Sequence, residues 1–229
     1  MIKLIMTDVD GTISFEGREL DLKGVEALRR AESSGIPVGL ATGNILPFAE
    51  AASVLIGVSG PIIAEDGGVI FYQATGRKEV LGARAEADRG LAALEREFGP
   101  LKQTRNSPDR LTGLTLEREV ALEDVRKALK RKGFDLVAVD SGFAIHIKSP
   151  EVNKGGALRR LAEMMGVPLD NIAAIGDGQN DVEMLQAAGV SFAVANASDE
   201  VKKSGKFVTK GYHGEGVAEA VERILSSFR

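Results

Sequence analysis

Short, continuous apolar runs recur along this chain, and the stretches between them have helical spacing. Ile2–Thr7, Ile36–Ala41 and Pro61–Glu65 are such runs. Leu22–Ser34 lies between the first two, with Val25, Leu28 and Ala31 on one side. An apolar run without polar alternation reads as a strand buried on both faces, which is what a parallel sheet covered by helices produces. Gly35 stops the first helix. Asn44 is expected to cap the second, which runs to about Leu55 with Pro47 tolerated in its first turn. Asp66-Gly67-Gly68 marks a turn, and Val69–Tyr72 is a hairpin return. The order strand, helix, strand, helix, strand predicts an α/β fold with a Rossmann-like parallel sheet.

The middle of the chain breaks this rhythm. Ala83–Phe98 reads as a charged amphipathic helix, Gln103–Arg110 as a polar loop and Leu111–Leu116 as a strand. Leu122–Lys132 is a basic-faced helix stopped by Gly133, and Phe134–Val139 with Phe143–Lys148 form a hairpin around Asp140-Ser141-Gly142. That is an α+β pattern. The α/β rhythm then resumes: helix Lys154–Met165, strand Ile172–Ile175, helix Asp181–Ala188, strand Val190–Val194, a small helix near Asp199, strand Phe207–Thr209 and a last helix from Val217. The expected organisation is a discontinuous core domain, 1–82 plus 150–229, with an inserted α+β domain at 83–149. Hinges are expected near Leu81-Gly82 and Ser149-Pro150.

Composition removes several function classes. A net charge of −4 gives no basic footprint for nucleic acid, and the lysines and arginines of 122–132 read as a solvated helix face. With no cysteine, disulfides and thiol catalysis are excluded. The apolar opening Met1–Met6 is too short for a signal peptide or a membrane span, so a cytoplasmic protein without membrane contact is expected.

Four acidic residues carry the chemistry. Asp8 and Asp10, in Asp8-Val9-Asp10-Gly11-Thr12, follow the first strand, and residues two apart at a strand end project to the same side. Asp177 and Asp181, in Gly176-Asp177-Gly178-Gln179-Asn180-Asp181, follow another buried strand. Ligands of open α/β sheets bind outside the carboxyl ends of the strands, so both pairs face one crevice. Converging carboxylates repel unless a cation neutralises them, and hard oxygen donors suit Mg²⁺. Thr42-Gly43-Asn44 opens a helix after the second strand and fits a phosphate, as does the ammonium of Lys154. His146 reads as a sheet residue of the insertion, and His213 as a turn residue near the active edge.

With these four signatures in order, the chain resembles the haloacid dehalogenase-like phosphatases. The insertion is similar to the α/β cap of the Cof-like subgroup. The short cap and Thr42-Gly43-Asn44 are similar to the archaeal phosphoglycolate phosphatases. The resemblance implies that Asp8 is a nucleophile taking the phosphoryl group and Asp10 an acid and base. Thr42, Gly43, Asn44, Lys154 and Asn180 would bind the phosphorylated substrate. Asp8, the Asp10 carbonyl, Asp177 and Asp181 would hold Mg²⁺, with Asp181 in or just behind the coordination shell. Carboxylate specificity would come from the cap, where Arg105 and Arg110 are candidate anion contacts. The implied partner is a small phosphorylated metabolite, 2-phosphoglycolate first, acted on by a monomer or homodimer. A sugar-phosphate phosphatase, a phosphomutase, a phospho-aspartate switch and an interaction domain with a dead site are the alternatives. Asp10 argues against the switch, because an acid/base beside the nucleophile promotes turnover.

Overall fold

The computed structural model describes residues 1–142 and 144–227. The chain divides into two compact units, Met1–Glu79 with Asn153–Arg229, and Val80–Val152.

The first unit opens with β1 (Leu4–Thr7), α1 (Leu22–Ser33), β2 (Val38–Ala41), α2 (Leu46–Ile56), β3 (Ile62–Ala64) and β4 (Val69–Tyr72); β5 (Arg77–Val80) leads out of it. The second unit holds α3 (Arg84–Phe98), β6 (Gly113–Leu116), α4 (Leu122–Arg131), β7 (Val137–Asp140) and β8 (Ile145–Lys148). The first unit resumes with α5 (Lys154–Met165), β9 (Ile172–Gly176), α6 (Val182–Ala187), β10 (Val190–Ala193), α7 (Asp199–Ser204), β11 (Phe207–Val208) and α8 (His213–Ser227). Among the described residues no helix is long and apolar enough to cross a membrane.

The large sheet has the order β11-β10-β9-β1-β2-β3-β4-β5. All pairings from β11 to β3 are parallel, and β3 with β4 forms the expected antiparallel hairpin. From β1 the chain steps outward through β2 to β3, then returns to the other side of β1 with β9 and steps outward again. The order therefore reverses between β1 and β9, the switch point where α/β sheets open a crevice. Thr7 pairs with Leu40 on one side and Ile175 on the other, so three carboxyl ends finish level. One apolar cluster under the sheet joins Ile5, Ile175 and Phe192 to Val25 and Leu28 of α1 and to Val217, Val221 and Ile224 of α8. These helices approach closely because glycine faces glycine: a methyl on Gly24 would lie 2.9 Å from Gly214 Cα.

In the second unit, α3 and α4 cover one face of an antiparallel sheet of order β6-β8-β7. Leu114, Leu116, Ile145, Ile147 and Ala138 point into that core with Leu91, Leu94, Val125 and Leu129. By strand alternation the other face carries Thr115, His146 and Lys148, with Thr115 paired to His146. Phe143, the expected first residue of the returning strand, lies outside the described residues. Part of the basic face of 122–132 is partnered: Arg126 meets Glu123, while Arg131 and Lys132 meet Glu97.

Two local expectations are corrected. The last helix begins at His213, four residues before Val217. Gly214 and Gly216 lower helix propensity in its first turn, yet added methyl groups would collide with Asp21 and with Gly211 and Thr209, so close packing selects glycine there. Asn44 does not cap α2: the N-cap is Ile45 and makes no side-chain cap bond, while the Asn44 amide is engaged elsewhere.

Candidate active site

The turn leaving β1 is held from several sides. Asp8 N–H donates to Ile175 O at 2.9 Å, continuing the sheet past the strand end. Gly11 adopts φ 89°, and a methyl on it would collide with the Asp177 carboxylate, so only glycine lets β1 and β9 deliver their acids side by side. Thr12 Oγ1 donates to Asp177 Oδ1 at 2.7 Å.

Lys154 is the first residue of α5, placed by its cap: the Asn153 side chain accepts from Gly156 N–H at 2.7 Å. Its side chain is 0% exposed, and its ammonium donates to Asp8 Oδ1 and Asp181 Oδ1, both at 2.6 Å. Asp181 is equally buried, and its other oxygen accepts the N–H groups of Asp177 (3.1 Å) and Gly178 (2.9 Å). Asp181 thus fastens the loop after β9 to Lys154. Asp8 Oδ2 accepts no hydrogen bond from the described residues.

Asp10 stands on a separate network. Arg18 Nε donates to Asp10 Oδ1 at 2.9 Å, and Asn44 Nδ2 donates to Asp10 Oδ2 at 2.7 Å. Arg18 Nη2 also donates to Asn44 Oδ1 at 3.1 Å. Thr42, fully buried, accepts on Oγ1 from Asn44 N–H (3.1 Å) and Asn44 Nδ2 (3.0 Å). Gly43 lies in the bend between β2 and α2. Asn180 Nδ2 donates to Asp66 Oδ1 at 2.9 Å. Arg105 is exposed and Arg110 buried within the second unit's sequence.

The electrostatics follow from burial. Desolvation, then the charge of Asp181, pushes the Asp8 carboxyl well above the usual carboxylate range, against the pull of Lys154. Desolvation and Asp181 likewise push Asp177 up to about 6, opposed by the Thr12 hydrogen bond. Burial alone would lower the Lys154 ammonium, but Asp181, Asp8 and Asp66 outweigh it and hold it above the ordinary lysine range. Asp8, Asp177 and Asp181 each offer an oxygen within 4.8 Å of the others. Hard oxygens this close, two of them on acids held up by burial and then by the charge of Asp181, fit a divalent cation, which compensates both. The Asp10 carboxylate, turned to Arg18 and Asn44, is outside that group.

The structure therefore brings Asp8, Lys154, Asp177 and Asp181 together and groups Asp10 with Thr42 and Asn44. Three side chains with no expected role join them. Arg18 gives no signal in sequence, because it reaches Asp10 from a hairpin closed by Phe15 and Glu19. Thr12 closes the first motif, and its sequence position alone does not point to Asp177. Asn196 donates to Gly11 O at 2.9 Å from a loop that carries no charge pattern.

A family model described as haloacid dehalogenase-like hydrolase matches residues 5–86 and 99–221. A protein named phosphoglycolate phosphatase from Methanothermobacter thermautotrophicus is 45% identical over 224 residues, 98% of this chain and 99% of the relative. Another of that name from Methanosarcina acetivorans is 42% identical over 228 residues, covering 98% and 97%. The crystal structure of Thermoplasma acidophilum 0175 superposes with a TM-score of 0.89 at 27% identity, covering 98% of this chain and 99% of that one. Fold, motif spacing and full-length similarity agree, and the chain belongs to the haloacid dehalogenase-like hydrolases.

Proposed function

We propose that this protein hydrolyses 2-phosphoglycolate to glycolate and phosphate through a phosphoryl group carried on Asp8. The observation that carries the mechanism is the fully buried Lys154 ammonium on Asp8 Oδ1, which leaves Oδ2 to attack. Oδ2 forms a bond to phosphorus as the bond to the glycolate oxygen breaks, and Asp10 gives that oxygen its proton. Water then attacks the phosphorus of the aspartyl phosphate, Asp10 takes its proton, and the bond to Asp8 breaks to release phosphate. The separate tether of Asp10 to Arg18 and Asn44 suits this division of labour, because the two acids do not share one counter-ion.

Thr42 accepts both of its hydrogen bonds from Asn44, so its own O–H serves a phosphoryl oxygen, with Gly43 allowing close approach in the bend. Asn180 supports the Lys154 side through Asp66, and Asn44 holds Asp10 and Thr42 in register with the substrate. Asp8, Asp177 and the Asp10 main-chain carbonyl would hold Mg²⁺, with Asp181 just behind. Bound there, the ion supplies charge neutralisation between carboxylate and phosphate. In this reading the unit Val80–Val152 is the cap that selects the substrate. The substrate itself is supported by the names of the full-length relatives.

The test is phosphate release from a panel of esters, with Mg²⁺ and with chelator, by wild type and Asp8→Asn. The reading expects Mg²⁺-dependent release that favours 2-phosphoglycolate over sugar phosphates and is lost in Asp8→Asn. Equal turnover of sugar phosphates would overturn the substrate, and no turnover of any ester would overturn the phosphatase.

A further inference from the structure

The loop after β11 is remote in sequence from the first motif, yet it ends on it. Thr209 Oγ1 (2.9 Å) and Ala195 N–H (3.1 Å) both donate to Gly211 O, and the Glu219 carboxylate accepts from Lys210 N–H (2.7 Å) and Gly211 N–H (3.2 Å). Glu215 and Gly216 N–H both donate to Tyr212 O. This frame presents His213 at φ 46°, in the left-handed region that Asn, Asp and His tolerate better than other side chains.

From that conformation His213 makes two polar contacts. Its backbone N–H donates to Asn196 Oδ1 at 2.8 Å, and its ring Nδ1 lies 2.7 Å from Gly11 O. A carbonyl only accepts, so Nδ1 carries the proton. Asn196, with its oxygen taken by His213, turns Nδ2 to the same Gly11 carbonyl at 2.9 Å. The ring is packed edge-on to Phe15, centroids 5.5 Å apart. Gly11 O thus receives two donors, His213 from the loop after β11 and Asn196 from the loop after β10, which the His213 N–H holds in place. Fixing that carbonyl fixes Gly11 ψ, and with it the relation between Asp10 on one side and the Thr12–Asp177 hydrogen bond on the other.

We propose that His213 is a positioning residue for the Asp10-Gly11-Thr12 turn, acting through the Gly11 carbonyl. The proposal deepens the phosphatase reading and rests on it for its kinetic consequence. A helix-starting residue that merely packed against Phe15 would need the ring and not the donor. A positioning residue needs an N–H at the δ position.

The test compares His213→Asn, His213→Gln and His213→Phe with wild type. Asn keeps a donor near the δ position and tolerates the backbone, Gln moves it outward to the ε position, and Phe keeps the ring without a donor. Hydrogen exchange of the segment 8–14 is read by mass spectrometry, and kcat and KM are measured with p-nitrophenyl phosphate. In Gln and Phe, segment 8–14 should exchange faster and kcat should fall about tenfold to a hundredfold, as for the loss of an outer-shell partner, with KM moving less than about threefold. Asn should stay within about threefold of wild type and keep the protected segment. The proposal is overturned if segment 8–14 exchanges alike in all four proteins, or if Asn falls as far as Gln and Phe. A wild type that turns over no ester would refute the phosphatase reading, and the exchange pattern would still decide the positioning claim.

Discussion

Replacing Lys154 by methionine keeps most of the side-chain volume and removes the ammonium that Asp8 and Asp181 both contact at 2.6 Å. The Asp8 and Asp181 side chains are at most 6% exposed, so hydration does not replace the lost ammonium. Breaking a buried ion pair from one side costs roughly 3–5 kcal/mol, because a charge is left without compensation. For a chain of this size each kcal/mol moves Tm by about 2–4 °C, so the metal-free variant should melt roughly 6–20 °C below wild type at pH 7.5. The sign of the pH effect follows from the raised acids. A carboxyl whose folded pKa lies above its unfolded value contributes stability at low pH and loses it as pH rises through the folded pKa. For Asp177 that window runs from 3.8 to about 6, and for Asp8, already raised, removal of Lys154 moves the upper limit higher still. The deficit of Lys154→Met should therefore shrink between pH 7.5 and pH 5, and added Mg²⁺ should shrink it at pH 7.5. Thermal unfolding in chelator across this range is the assay. Equal Tm for variant and wild type at pH 7.5, or a deficit unchanged at pH 5, would refute the electrostatic reasoning.

Other substitutions separate the remaining parts. Gly11→Ala should cost about 1–2 kcal/mol from its left-handed backbone before the collision with Asp177 is added, and calorimetric Mg²⁺ affinity should fall with it. Arg18→Ala removes a half-exposed pair worth roughly 0–1 kcal/mol, so Tm should barely move. Its turnover of an alkyl phosphate should nevertheless fall about tenfold, a fraction of the 10²–10⁴ that a positioned acid–base group supplies. Leu129→Ala, in the core of the second unit, should lose roughly 2–5 kcal/mol. Faster hydrogen exchange in that variant should be confined to Val80–Val152.

Much of this architecture was legible because parallel strands buried on both faces read as unbroken apolar runs, and the acids that matter follow them directly. Asp8 after β1 and Asp177 after β9 are of this kind. β5 was missed because Arg77–Val80 is a charged strand, exposed along most of its length, with no apolar signature. The start of α8 was missed because Gly214 and Gly216 look like loop, and only the packing against Asp21 and Gly211 explains them. Asn44 looked like a helix cap because local chemistry offers that use first, whereas its amide serves Asp10, 34 residues away. The Lys154 ammonium was legible as a phosphate ligand, but its complete burial between Asp8 and Asp181 is a tertiary fact. Contacts such as Arg18 on Asp10 and His213 on Gly11 depend on backbones at positive φ, 70° and 46°, which composition and periodicity do not encode.

The central claim is that Asp8 carries the phosphoryl group. Acid-quenched single turnover with a radiolabelled phosphate ester and Mg²⁺, followed by peptide mapping, tests it most directly. The account predicts label on Asp8 that decays as phosphate is released, and none on any residue in Asp8→Asn. Phosphate release at the same rate with no label on the protein, or label on another residue, would contradict it.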